Sequence, residues 1–116
     1  MAQVVLYHNP RCSKSRQTLK LLEAKGIQPE IVNYLEQPPE TSTLQKLLHL
    51  LGLEAIDLVR QHEAPFKELG LSRETDPERL LEAIHRHPIL LQRPIVVVDG
   101  SKAAIGRPPE NVEAIL

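Results

Sequence analysis

The fold is decided near the amino terminus, by the sequence QVVLYHNPRCSKSRQTLKLLEAK at residues 3–25. Its apolar start predicts a short buried strand at residues 3–7. Polar residues after that strand predict a turn, and spaced leucines predict a helix that begins at about Cys12 and ends before Gly26. The apolar pattern of residues 30–34 predicts a second strand. We therefore expect a strand–helix–strand unit that is parallel and right-handed.

The carboxyl-terminal part of the chain predicts the other half of a sheet. Residues 95–98 read Ile-Val-Val-Val, the most buried strand by composition. The Asp99-Gly100 pair after it is a strong signal for a hairpin turn. Residues 103–105 should return as an antiparallel strand, and a short helix should follow over 108–116.

Helical patterns fill the region between these two halves. Leucines at helical spacing follow Thr41 and Ser42, either of which can cap a helix. Asp76, with a proline directly after it, marks the start of another helix. The order of elements predicts an α/β fold, a thioredoxin-like mixed four-stranded sheet with a helical insert at about residues 41–88. We expect residues 1–116 to form a single domain.

Composition narrows the classes of function. Fourteen Lys+Arg against fifteen Asp+Glu give a formal charge of -1, which argues against a protein that coats nucleic acid. The few aromatic residues leave no stacking platform for single-stranded nucleic acid. No apolar run approaches the ~20 residues of a membrane span, and no leader pattern precedes the first strand. We expect a cytoplasmic protein with neither nucleic-acid nor membrane partners.

Cys12 is the one cysteine of the chain. A lone cysteine excludes an internal disulfide, a Cys-x-x-Cys redox pair and a cysteine-rich zinc site. Its position at a helix start favours a thiolate, because unpaired N–H groups and the helix dipole stabilise negative charge. Cationic neighbours would lower the thiol pKa further; they are His8, Arg11, Lys14 and Arg16. We predict a reactive thiolate rather than a small buried apolar residue.

Three arginines could complete an anion site, since a helix amino terminus itself favours an anion. Arg93 precedes the strand at 95–98 and Arg107 follows the last strand, so both can approach the end of the first strand. Arg60 ends a helical run in the insert. Each arginine could equally lie on a solvated surface. No metal site is predicted, because the side chains of the His85-x-His87 pair would splay about 200° apart on a helix.

Four separated motifs resemble those of the glutaredoxin-linked arsenate reductases. They are, in chain order, YHNPRCSKSR at 7–16, YLEQP at 34–38, HPILLQRPIVV at 87–97 and GRP at 106–108. The resemblance covers essentially the whole chain. It is strongest to the short branch that carries Cys-Ser-Lys-Ser-Arg, a branch related to Spx-type proteins. It implies a thioredoxin-like oxidoreductase of arsenical resistance that reduces arsenate to arsenite.

The resemblance also implies roles for individual residues. Cys12 would be the nucleophile that forms a thiol–arsenate adduct, His8 would help to depress its pKa, and Ser15 would hydrogen-bond near the sulfur. The arginines that would hold arsenate or a similar oxyanion are Arg60, Arg93 and Arg107. Glutathione as a co-substrate and glutaredoxin as a partner would supply the electrons, with no cofactor bound. A cis peptide bond before Pro94 is implied as well.

Two related classes differ from this chain in their cysteines. The phosphatase-like arsenate reductases use Cys-x5-Arg and further cysteines, whereas Thr18 lies six residues after Cys12 and no other cysteine exists, which excludes that class. Many Spx-type transcription regulators carry Cys-x-x-Cys, whereas Cys12 and Ser15 cannot form a disulfide. A non-enzymatic Spx-like or glutathione-sensing partner-binding module stays open as the alternative.

Overall fold

Within residues 2–116, which the computed structural model describes, four strands form one mixed sheet in the order β2-β1-β3-β4. They are β1 (Val4–His8), β2 (Glu30–Asn33), β3 (Ile95–Val98) and β4 (Lys102–Ile105). Strand β1 pairs parallel with β2 and antiparallel with β3, and β3 pairs antiparallel with β4. The predicted parallel start, antiparallel end and mixed four-stranded sheet are confirmed.

The helices also follow the predicted order. The α-helices of the described residues are α1 (Ser13–Ala24), α2 (Thr41–Leu51), α3 (Ala64–Glu68) and α4 (Pro77–Arg86). Short 3-10 helices cover Ala55–Leu58, Pro88–Leu90 and Pro109–Ile115. The carboxyl-terminal helix is therefore of the tighter 3-10 type. No helix within residues 2–116 is long and apolar enough to cross a bilayer.

Two helix starts test the predicted caps. Asp76 caps α4, since its carboxylate accepts a 3.0 Å hydrogen bond from the N–H of Glu78, as predicted. The prediction for α2 was wrong. Glu40 is its N-cap and makes no side-chain capping bond, because Thr41, one of the two expected caps, is already the first helical residue.

Two backbone features of the sheet half also match expectation. Asp99 and Gly100 both have positive φ, 54° and 62°, as the central residues of the predicted turn require, and the N–H of Ser101 donates to the carbonyl of Val98 over 3.0 Å. Because Val98 pairs with Lys102, the connection between β3 and β4 has three residues, Ser101 being the third. The Asp99 carboxylate accepts a 2.7 Å hydrogen bond from the N–H of Gln3. The peptide bond before Pro94 is cis, as the resemblance implied, and so is the bond before Pro108.

The chain divides into two compact units. The sheet unit comprises the residues up to Gln37 together with Arg93–Leu116, and the helical unit comprises Pro38–Gln92. The insert predicted at about 41–88 lies inside the helical unit. The single domain over 1–116 stays a prediction.

An aliphatic core holds the sheet unit together. Alternate residues of β1 and β3 share one face of the sheet with α1 and the carboxyl-terminal 3-10 helix. The buried members of this cluster are Val4, Leu6, Leu22, Val96, Val98 and Val112. Because both helical segments are anchored on the same core, the residues at their starts are held in fixed positions. Cys12 is the N-cap of α1, and Arg107 lies immediately before the N-cap of the 3-10 helix, Pro108.

Candidate active site

The turn between β1 and α1 places Cys12 at a helix amino terminus. The carbonyl of Asn9 accepts a 3.0 Å hydrogen bond from the N–H of Cys12. The Asn9 side-chain oxygen accepts a second 3.0 Å bond from the N–H of Arg11. Asparagine followed by proline is a common start for such a turn, because the asparagine side chain bonds the backbone two residues on and Pro10 fixes φ. Cys12 itself is the N-cap of α1.

Sheet topology brings two remote segments to the same place. Tyr7 near the end of β1 pairs with Ile95 at the start of β3, and Ile95 pairs with Ile105 at the end of β4. The residues just after β1, just before β3 and just after β4 therefore share one end of the sheet. Arg93 and Arg107 occupy the second and third of these segments.

Both arginines reach the sulfur of Cys12. Nη2 of Arg107 donates a hydrogen bond to Sγ over 3.8 Å, and its Nε donates to the carbonyl of Arg93 over 2.8 Å. The Arg93 side chain hydrogen-bonds the thiol and is only 8% exposed. One guanidinium thus approaches the sulfur from inside the protein and the other from its surface.

The electrostatics of Cys12 favour its thiolate. Burial, the largest single influence, raises the pKa of the half-buried thiol. The backbone N–H groups of Ser15 and Lys14 and the guanidinium of Arg93 act in the opposite direction, and together they bring the pKa below its ordinary value. The shift has the direction that the helix start predicts.

The source of positive charge differs from the sequence expectation. The side-chain cation that lowers the Cys12 pKa is Arg93, a distant residue, rather than the expected His8, Arg11, Lys14 or Arg16. Lys14 contributes through its backbone N–H, and Arg16 donates from Nη1 to the carbonyl of Pro10 over 2.9 Å. Arg93 reaches the thiol because it lies just before β3, at the end of the sheet where β1 leads into Cys12.

His8 and Ser15 form a buried pair beside the turn. Nδ1 of His8 lies 2.6 Å from Oγ of Ser15, which also accepts a 3.0 Å bond from the N–H of Asn9. Burial, and to a smaller extent the charge of Arg16, lowers the His8 pKa. A neutral imidazole can accept the Ser15 hydroxyl hydrogen at Nδ1. The Ser15 hydroxyl therefore holds the His8 ring beside the turn, while the backbone N–H of Ser15 lowers the Cys12 pKa.

This geometry is suited to an oxyanion. Guanidinium groups bind tetrahedral oxyanions through paired N–H donors, and here two of them lie beside a thiol of lowered pKa at a helix amino terminus. Within residues 2–116, no group of three or more histidine, cysteine or carboxylate side chains is placed to hold a metal ion.

Comparison with known proteins identifies the family. The ArsC family model matches residues 7–115. The chain belongs to the ArsC family.

Relatives in the ArsC family are similar to this chain over its full length. The arsenate reductase of Neisseria meningitidis serogroup B is 50% identical over 118 residues, which cover all of both chains. That of Escherichia coli K12 is 41% identical over all of this chain and 82% of the relative. The solved arsenate reductase from Vibrio cholerae superimposes with a TM-score of 0.93 at 47% identity, over 98% of each chain. The predicted family and thioredoxin-like fold are confirmed.

Each residue predicted for the site belongs to one of the two compact units. Cys12, His8, Ser15, Arg93 and Arg107 all belong to the sheet unit. Arg60 belongs to the helical unit, and it does not end a helical run as expected, because the 3-10 helix stops at Leu58, two residues earlier. There its N–H donates to the carbonyl of Leu90 over 2.7 Å and its Nε donates to a Glu63 carboxylate oxygen over 3.2 Å. Its role toward an oxyanion stays a prediction.

Sequence reasoning missed two residues that support the ArsC site. Asn9 accepts hydrogen bonds from the N–H groups of Arg11 and Cys12 and so closes the turn, a role that the Asn9-Pro10 pair signals. Asn111 donates from its amide to the carbonyl of Arg107 over 3.0 Å. No local sequence pattern signals Asn111, because its contact with the Arg107 carbonyl depends on how the chain folds after β4.

Alkylation of Cys12 by iodoacetamide is expected to titrate with a midpoint below the ~8.5 of an unperturbed thiol. A lowered pKa keeps the reactive thiolate at pH values at which a free cysteine is protonated, so reactivity is lost only as the pH falls through the lowered pKa. The same protein unfolded in urea is the control and should titrate as a free thiol. A folded-state midpoint at or above that of the unfolded chain would contradict the assignment.

Proposed function

We propose that this protein reduces arsenate to arsenite with the Cys12 thiolate as nucleophile. The observation that carries the proposal is a half-buried thiol of lowered pKa that two guanidinium groups from remote segments approach. The relatives called arsenate reductases, at 41 to 50% identity across this whole chain, support the same activity. His8 and Ser15 would secure the turn that presents the sulfur.

Charge compensation is the catalytic problem that the site addresses. Arsenate is largely a dianion near neutral pH, so an approaching thiolate is repelled by it. Arg93 and Arg107 would offset that repulsion and would bind the charge that develops on oxygen as the sulfur–arsenic bond forms. One such preorganised donor contributes on the order of 3 kcal/mol. Arg60 is proposed as the third arginine that holds the oxyanion.

The electrons have to come from outside the chain, since Cys12 is its one cysteine. In the net reaction arsenic gains two electrons, two thiols join in one disulfide, and one oxygen of arsenate leaves as water. We propose glutathione as the thiol co-substrate and glutaredoxin as the partner protein that transfers its electrons to the enzyme. A cytoplasmic location, where thiols are kept reduced, belongs to the same proposal.

The test is arsenate-dependent NADPH oxidation in an assay coupled through glutathione, glutathione reductase and glutaredoxin. Wild-type protein is expected to give a rate that needs arsenate and falls to background when arsenate is omitted. Omission of glutaredoxin, or its replacement by thioredoxin, identifies the electron donor. A rate that does not depend on arsenate would overturn the proposal and would favour the partner-binding module instead.

A further inference from the structure

Gly106 lies where the three segments of the site come into contact. It is buried and directly precedes Arg107. A Cβ built on it would lie 2.5 Å from Oγ1 of Thr18, on the helix that Cys12 caps. The same Cβ would lie 2.8 Å from Cγ of Pro94, the residue after Arg93. The space at this position therefore admits no side chain.

Backbone conformation does not account for this glycine. The glycines with positive φ, where other residues would be strained, are Gly26, Gly52, Gly70 and Gly100. Gly106 is not among them. Glycine is needed at position 106 for a steric reason, because Thr18 and Pro94 pack against it and leave no space for a side chain.

Those groups are held in place. Thr18 is fully buried, its β-branched side chain has restricted rotamers, and its hydroxyl donates to the carbonyl of Lys14 over 2.9 Å. The N–H of Gly106 donates to the carbonyl of Pro94 over 2.9 Å. Because neither neighbour is the end of a flexible chain, an added methyl group has to move whole segments of backbone.

We infer that Gly106 is a positioning residue, whose missing side chain lets the segments of Cys12, Arg93 and Arg107 pack closely enough for both guanidinium groups to reach the sulfur. The inference rests on the proposed function only for the identity of the oxyanion. Arg107 is the residue most directly affected, since it follows Gly106 and its Nε bonds the Arg93 carbonyl over 2.8 Å.

The variant that tests this is Gly106→Ala. We expect the pH midpoint of Cys12 alkylation to rise toward that of a free thiol. We also expect the arsenate concentration that half-protects Cys12 from alkylation to rise about tenfold, because small displacements of binding groups are costly. Gly26→Ala is the control for loss of stability: alanine is strained at the positive φ of Gly26, but nothing lies within 4 Å of the added methyl group, so both values should stay unchanged even though the fold is weakened.

A second substitution separates positioning from general loss of packing. In the Gly106→Ala background, Thr18→Ala removes the atom that the new methyl group approaches most closely, so the midpoint should move back toward wild type. Thr18→Ser keeps that oxygen and should give no such recovery. Loss of packing alone would lower the melting temperature without moving the titration midpoint in this pattern.

A folded Gly106→Ala variant with the wild-type midpoint would overturn the inference. Should that variant not fold, Thr18→Val provides the test, because it replaces the Thr18 hydroxyl that faces Gly106 with a larger methyl group. A raised alkylation midpoint in Thr18→Val would support the inference, and an unchanged midpoint would overturn it. Alkylation requires no turnover. Failure of arsenate to protect or to be reduced by wild-type protein would therefore count against the proposed function, while the midpoints still decide the role of Gly106.

Discussion

Cys12→Ser is expected to reduce arsenate-dependent NADPH oxidation to the level measured without the protein. A serine hydroxyl keeps its proton at any working pH, so no nucleophile forms beside Arg93 and Arg107. Oxygen also cannot form the disulfide through which a thiol releases electrons to arsenic. The coupled assay measures this loss directly.

The same variant should stay folded. Cys12 is the N-cap of α1 and makes no side-chain capping bond, whereas serine is a favoured N-cap whose oxygen can accept a hydrogen bond from the first turn. The melting temperature is therefore expected to be unchanged or raised. Ser13→Ala, at the exposed neighbouring position, is the matched control and should keep its activity. Substantial turnover by Cys12→Ser would show that the sulfur is not the nucleophile.

Arg93→Ala should lower kcat/KM for arsenate by about 10²–10³-fold, the usual cost of removing one preorganised donor. The variant removes the buried guanidinium that bonds the thiol but keeps the backbone carbonyl that receives Nε of Arg107. Its effect can therefore be assigned to the Arg93 side chain. Because a cation that favours the thiolate is lost, the Cys12 pKa should rise, and the acid limb of the kcat/KM profile should move to higher pH.

Three further variants separate the loss of a positive charge from the loss of a guanidinium group at the site. Lys20→Ala removes one positive charge from an exposed position on α1 and should leave kcat/KM close to wild type. Arg107→Ala should resemble Arg93→Ala in its effect on arsenate. Arg93→Lys keeps the charge but not the planar pair of donors, so only partial recovery is expected. Equal effects of the Lys20 and Arg93 variants would show that the arginines do not form a site.

The sequence by itself determined the elements whose causes lie between near neighbours. The turn at Asp99-Gly100 could be predicted because Asp and Gly are residues that tolerate positive φ. The start of α4 could be predicted because the Asp76 carboxylate accepts a hydrogen bond from an N–H only two residues away. The same is true of Cys12, since a strand, a turn and a helix start within a few residues suffice to put a thiol at a helix amino terminus. The motifs around it were specific enough to predict the family.

Only the tertiary structure decided which groups act on that thiol. The side-chain cation that lowers its pKa is Arg93 rather than Arg11 or another cation near it in sequence, and Arg107 bonds the sulfur across a separation of 95 residues. The need for glycine at 106 is equally invisible in the sequence, because it is set by Thr18 and by the residue after Arg93. The physical reason is that Coulomb attraction and steric exclusion depend on the distance between atoms in space. The order of strands in the sheet, rather than distance along the chain, fixes which residues meet.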